Sequence, residues 1–153
     1  MNVATHILLA TDFSEASSAA TAKAGELARR LDAKLTVFHA HRHPPEPPEA
    51  VVSPERLIWS EDLDAEALEG LEKLRSTELA DIEGIVLAVA EDGIRSHAIY
   101  DYAAKHDVDL IVMGSHGRTG LAHFFHGSAA TQVVKHAPCA VLVVPNAEVT
   151  AAS

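Results

Sequence analysis

The sequence predicts an α/β fold: a doubly wound, five-stranded parallel sheet with helices on both faces, a three-layer α/β/α sandwich. Two observations carry this. The apolar runs of strand length are continuous rather than alternating, which requires a sheet covered on both sides. Between them lie segments whose apolar residues recur at helical spacing, and strand-helix alternation implies parallel strands joined by right-handed crossovers. The 153 residues, 48% hydrophobic and 22% charged, match a single domain spanning 1–153 with one core.

The elements follow in order. The first strand is "HILLAT", His6 to Thr11. Ala16, Ala19, Ala20, Ala24, Leu27, Ala28 and Leu31 then recur as one helix face, with Ser14 ahead of them as the N-cap whose hydroxyl would accept from a first-turn N–H. The second strand, Lys34 to Ala40, ends at "HRHPPEPPEA", where four prolines forbid helix and ladder alike, so His41 to about Ser60 reads as a loop. Leu63, Ala67, Leu71, Leu74, Leu79 and Ile82 mark a long acidic helix, Glu61 to Glu83, stopped by Gly84. Ile85 to Ala90 is the third strand, and Ile94, Ala98, Ile99, Tyr102 and Ala103 the third helix. Val108 to Gly114 is the fourth strand. A short helix carrying Ala130, Val133 and Val134 ends near His136, and Cys139 to Val144 is the fifth strand, closed by Pro145 and a tail over 146–153. The pattern admits strand order 3-2-1-4-5 or 2-1-3-4-5, and either puts ligands at the carboxyl ends of the strands where the winding reverses.

Charge and hydropathy narrow the partners. Twelve Lys and Arg against 22 Asp and Glu give a net charge of -10, which repels nucleic acid and anionic membrane surfaces. The apolar runs, Ile7 to Ala10 and Ala140 to Val144 among them, fall well short of the ~20 residues of a membrane span, and no signal-peptide pattern opens the chain; the expected location is the cytoplasm. The single Cys139 excludes an internal disulfide and reads as a small buried hydrophobe.

The chemistry concentrates in "GSHGRTGLAHFFHGSA", Gly114 to Ala129. It begins where a ligand would sit, and Gly114, Gly117, Gly120 and Gly127 suit a loop that offers backbone N–H groups rather than side chains. Gly127-Ser128 falls at the start of the fourth helix, where unpaired N–H groups and the positive dipole end attract an anion, a phosphate chain being the natural guest. The Ser128 hydroxyl adds a donor, and Arg118 or His116 could bring charge. Neither the lysine-bearing P-loop nor the G-x-G-x-x-G fingerprint is present.

Gly114-x2-Gly117, nine residues and Gly127-Ser128 resemble the G-x2-G-x9-G-[ST] signature of the ATP-binding branch of the universal stress protein family. "ILLATDFSEAS", "DLIVMGSHGR" and "HAPCAVLVV" resemble its first, fourth and fifth strand regions, so the likeness covers nearly the whole chain. The resemblance implies strand order 3-2-1-4-5, with ATP between the first and fourth strands; Mg²⁺ could accompany it and orient water for hydrolysis. It implies that Ala10, Thr11 and Asp12 line the adenine end and that Ala40 sits near the adenosine. Met113, Gly114, Ser115, His116, Gly117, Arg118, Thr119 and Gly120 would wrap the ribose and phosphates, and Gly127, Ser128, Ala129 and Ala130 would hold the phosphate chain. Ala40 and Ala129 stand where larger aliphatic residues are frequent in the family, which reduces contact area but leaves backbone bonds intact. The resemblance also implies a homodimer through Cys139 to Val144, whose apolar edge would otherwise invite stray pairing.

Three lesser candidates have plainer explanations. Asp12 can bond the backbone of its own turn without any ligand. His39, His41 and His43 share a strand face but lack a neighbouring Cys or carboxylate at ligand spacing, and read as surface histidines. His123 and His126, beside Phe124 and Phe125, read as loop caps. The function expected is an ATP-binding stress-response regulator acting through its dimer or a regulatory partner protein. The alternative is slow Mg²⁺-dependent ATP hydrolysis or adenylyl transfer. "TDFSEAS" after the first strand carries neither the H-x-G-H nor the S-G-G-x-D-S motif of adenylyl-transferring relatives.

Overall fold

The computed structural model describes residues 4–41, 54–91, 94–115 and 129–145. Its elements are β1 (His6–Ala10), a 3₁₀ turn (Glu15–Ser17), α1 (Ser18–Leu31), β2 (Lys34–His41), α2 (Pro54–Ser76), β3 (Val86–Glu91), α3 (Arg95–Lys105), β4 (Leu110–Gly114), α4 (Ala129–His136) and β5 (Ala140–Val144). The sheet is parallel throughout in the order β3-β2-β1-β4-β5, the order implied by resemblance and one of the two that the pattern allowed.

β1 sits at the centre, every residue buried, which explains its unbroken apolar run. Its alternate side chains feed two cores. Ile7 and Leu9 join Leu35 and Val37 beneath α1 and α2, where Ala20, Ala24 and Ala28 let α1 lie close to the strands. Leu8 joins Phe38 and Ile111 beneath α3 and α4, against Ala98, Ile99, Ala103 and Val133.

The amino end of β1 is locked to β4. Asp109 accepts from the Thr5 N–H at 2.8 Å, the Thr5 hydroxyl at 2.6 Å and the His6 N–H at 2.9 Å, and those donors hold its carboxyl below the usual carboxylate range. α1 and α3 end alike. Asp32 and Asp107 take positive φ, +52° and +51°, and the N–H groups of Ala33 and Val108 reach back to the carbonyls of Ala28 and Ala103 at 3.0 and 3.1 Å. Each helix is thus closed by a left-handed residue followed by a buried apolar one that enters the next strand.

Boundaries differ from the sequence reading where side chains, not apolar spacing, decide them. The second helix starts at Pro54, inside the expected loop, because proline in a first helical turn lacks only an N–H that would be unpaired anyway. It stops at Ser76 rather than Gly84. The Thr77 hydroxyl takes the Lys73 carbonyl at 2.6 Å, and turns carry Leu79 and Ile82 into the core. Gly84 then has φ +69°, as a stop there requires. β2 runs one residue past Ala40 because His41 pairs with Glu91 of β3.

Candidate functional site

The winding reverses at β1. β2 and β3 continue to one edge of the sheet, whereas β4 returns to the other side of β1. The chain leaving β1 enters α1 on one face, and α4, which follows β4, lies on the other, so a crevice opens between the carboxyl ends of these two strands.

One wall is the turn Thr11-Asp12-Phe13-Ser14. The Thr11 N–H donates to the Phe38 carbonyl at 2.9 Å. The Thr11 carbonyl is 2.8 Å from His39 Nδ1; since a carbonyl only accepts, Nδ1 carries the hydrogen. Thr11 Oγ1 receives the Phe13 N–H at 3.1 Å and lies 3.1 Å from Ser17 Oγ, whose own hydrogen goes to the Ser14 carbonyl at 2.8 Å. Asp12 Oδ1 accepts from both the N–H and the hydroxyl of Ser14, at 3.0 and 2.5 Å. The local turn role considered for Asp12 is therefore present. Ser14 is not the helix cap it was expected to be: its hydroxyl donates to Asp12, and a 3₁₀ turn precedes α1 with no side-chain cap bond at either start. Phe13 has φ +63°, a conformation L side chains seldom adopt, and nothing in its sequence signals this.

The opposite wall is the end of β4. A Cβ on Gly114 would lie 3.0 Å from the Ala16 carbonyl oxygen, so glycine is needed for β4 to meet the turn leading into α1. The Ser115 N–H bonds the Val144 carbonyl at 3.0 Å, while Ser115 Oγ is buried without a partner among the described residues. Ala10, Ala40, Met113 and Ala130, predicted from four separate segments, meet in one buried cluster under the crevice. Ala129 opens α4 and is exposed, immediately after Ser128 as the sequence reading requires. His116, Gly117, Arg118, Thr119, Gly120, Gly127 and Ser128 lie outside the described residues, as do His123, His126 and the two phenylalanines beside them.

The histidine reading needs correction. His39 and His41 are buried, not on the surface, because β2 is an inner strand with both faces covered. A carboxylate does reach one of them: His41 Nε2 lies 2.6 Å from Asp64 Oδ1 of α2, a partner 23 residues away that local spacing could not reveal. Among the described residues no group of three or more His, Cys, Asp or Glu side chains converges on a metal position; His43 lies outside them. Cys139 is half-buried on the α3/α4 side, and burial pushes its thiol up, away from the reactive thiolate. No helix among the described residues is long and apolar enough to cross a membrane.

A cavity of about 350 Å³ lies beside the turn, between the start of α1 and α2, with Phe13, Thr21, Gly70 and Lys73 among its walls. The hydroxyls of Ser14, Ser17, Ser18, Thr21 and Thr77 around it already donate within the chain.

Comparison with known proteins agrees with this architecture. The model of the universal stress protein family matches residues 4–145. A universal stress protein of Methanocaldococcus jannaschii is 33% identical over 147 residues, 94% of this chain and 83% of the relative. The structure of the universal stress protein UspA from Lactobacillus plantarum superposes with a TM-score of 0.72 at 34% identity, covering 92% of this chain and 97% of that one. A universal stress protein in complex with cAMP shares the fold at 22% identity, with a TM-score of 0.65 over 94% of this chain and 98% of its own.

Proposed function

Since the chain belongs to the universal stress protein family, we propose that it is an ATP-binding regulator of that family, taking the nucleotide with Mg²⁺ in the crevice between β1 and β4. The observation that carries this reading is the coincidence of two independent facts. The G-x2-G-x9-G-S sequence begins at Gly114, and Gly114 is the residue with which β4 reaches the reversal point of the sheet.

The residues fit such a ligand. Ala10, Ala40, Met113 and Ala130 present small or unbranched side chains that suit the flat face of a base. Ser115 Oγ is a buried hydroxyl with no partner among the described residues, and a ribose or phosphate oxygen would supply one. In this reading Thr11 and Asp12 border the adenine, Ala40 lies near the adenosine, and 114–120 wrap the ribose and phosphates. Gly127, Ser128, Ala129 and Ala130 hold the phosphate chain at the start of α4. Bound Mg²⁺ would neutralise phosphate charge. The cAMP-bound relative supports the fold of the site, while the nucleotide class for this chain rests on its own glycine signature.

We extend the proposal to a homodimer through β5. This edge strand, Ala140–Val144, is only partly buried and carries no charge along its length, and β4 occupies one side only. A cytoplasmic location and a regulatory partner protein complete the reading.

The test is direct. Protein purified without added nucleotide is denatured, and the supernatant is run on ion exchange for ATP; the emptied protein is then titrated calorimetrically. Bound ATP or a binding isotherm is expected, and Gly127→Val abolishes it while leaving circular dichroism unchanged. Neither carried nucleotide nor heat at millimolar ATP would sink the proposal.

A further inference from the structure

Phe13 is held where its backbone does not want to be. At φ +63° a bulky side chain is a steric outlier, and such a residue persists only when its surroundings over-determine it. The surroundings are visible. On one side its ring meets the His39 ring of β2, centroids 4.6 Å apart and tilted by 33°. On the other it presses on the backbone of α2 at Gly70, where an added Cβ would fall 2.9 Å from Cε1 and Cζ of the ring. The ring therefore occupies a slot one aromatic thick, walled by His39 and by the bare Cα of Gly70.

The slot controls the turn that borders the proposed adenine end. His39 donates to the Thr11 carbonyl while stacking on Phe13, and the Phe13 N–H closes onto Thr11 Oγ1. The position of the ring and the conformation of Thr11-Asp12 are thus set together. α2 is itself tied to the end of β2 by the bond between His41 and Asp64, less than two turns before Gly70.

We propose that Gly70 and His39 are positioning residues for nucleotide binding: they touch no ligand but clamp Phe13, and through it hold Thr11 and Asp12 in the binding conformation. The proposal rests on the nucleotide reading above and adds α2, an element outside the glycine signature, to the machinery of the site. The consequence runs from helix to turn. A side chain on Gly70 displaces the ring sideways toward the adjoining cavity of about 350 Å³ rather than forcing two backbones apart. Alanine also favours the helix over glycine. Gly70→Ala should therefore spare the fold and disturb the turn.

Two readouts test this on the full chain: ATP affinity by calorimetry, and amide hydrogen exchange at Phe13 and Ser14, whose N–H groups close the turn. Gly70→Ala is expected to keep the parental Tm, to speed exchange at both amides and to weaken ATP binding by about tenfold, or about 1.4 kcal/mol. Gly70→Ala combined with Phe13→Leu, which returns the lost width, is expected to restore both readouts; a merely structural defect would not be rescued this way. Phe13→Ala attacks the slot from the other side and should reproduce the fast exchange even if Gly70→Ala proves hard to purify. Parental exchange in Gly70→Ala overturns the proposal, as does lost affinity without faster exchange. If the parent binds no ATP while Gly70→Ala still exchanges fast, the clamp stands and the nucleotide reading falls.

Discussion

At the scale of single residues, the structure turns on polar groups whose partners are far away in sequence. His6 is buried at the start of β1, with Nδ1 3.0 Å from the His106 carbonyl and Nε2 2.8 Å from Thr36 Oγ1. The carbonyl must accept, so Nδ1–H donates, and in the neutral ring Nε2 accepts from the threonine hydroxyl. Burial is the main cause that lowers its pKa below 6.5, with the nearby Lys34 and His106 in the same direction. The folded chain thus binds a proton less readily than the unfolded one. Stability from this group is complete above pH 6.5 and declines as pH falls toward the depressed folded pKa. Urea midpoints measured from about pH 5 to about pH 8 should rise over the lower part of that range, and His6→Gln should flatten the rise. None of this was legible locally: "THILL" announces a strand but not the threonine 30 residues on that receives the ring. The same holds for His39 and His41, read as surface residues because their partners come from the turn after β1 and from α2. Asp12 was legible, since an Asx turn needs only its near neighbours.

At the scale of elements, identity was legible and boundaries were not. All five strands and four helices follow from apolar spacing, but α2 begins and ends where Pro54 and Thr77 place it, and spacing carries no trace of a hydroxyl that takes a carbonyl. The matching ends of α1 and α3 show how a short segment is forced. Asp32 and Asp107 each accept a left-handed backbone so that the next residue can turn into the sheet. Asp is not the best residue for that task. Asp32→Gly should raise the unfolding free energy by about 0.5 kcal/mol, the relief of the Cβ penalty less the added entropy of the unfolded chain. Chemical denaturation reads this, and a loss of stability would show that the Asp32 side chain itself holds the cap.

At the scale of the molecule, the strand order follows from the family likeness and agrees with the winding rules, whereas the glycine loop that carries the proposed site could be read only as a sequence. Local pattern records which segments are strands; it does not record which strand lies beside which, because both permitted orders bury the same residues. The two edges of the sheet are β3 and β5. If β5 pairs with a second copy, the flanking helix should share the interface, and Val134 of α4, 54% exposed, is its most open large apolar residue. Light scattering should give twice the chain mass for the parent and a single chain mass for Val134→Glu, whose charge would be stranded in an apolar contact. A parent of single chain mass removes the dimer.

The place of β1 has a consequence for synthesis. It is synthesised ahead of the other strands of the sheet, yet one of its two neighbours, β4, and the aspartate that ties down its leading end come more than a hundred residues later. Until that stretch is translated, a strand that the finished fold buries along its whole length has one flank exposed to any passing extended peptide. Nascent chains stalled before Leu110 should therefore be the ones that cellular chaperones retain, and chains released after Val144 the ones they let go.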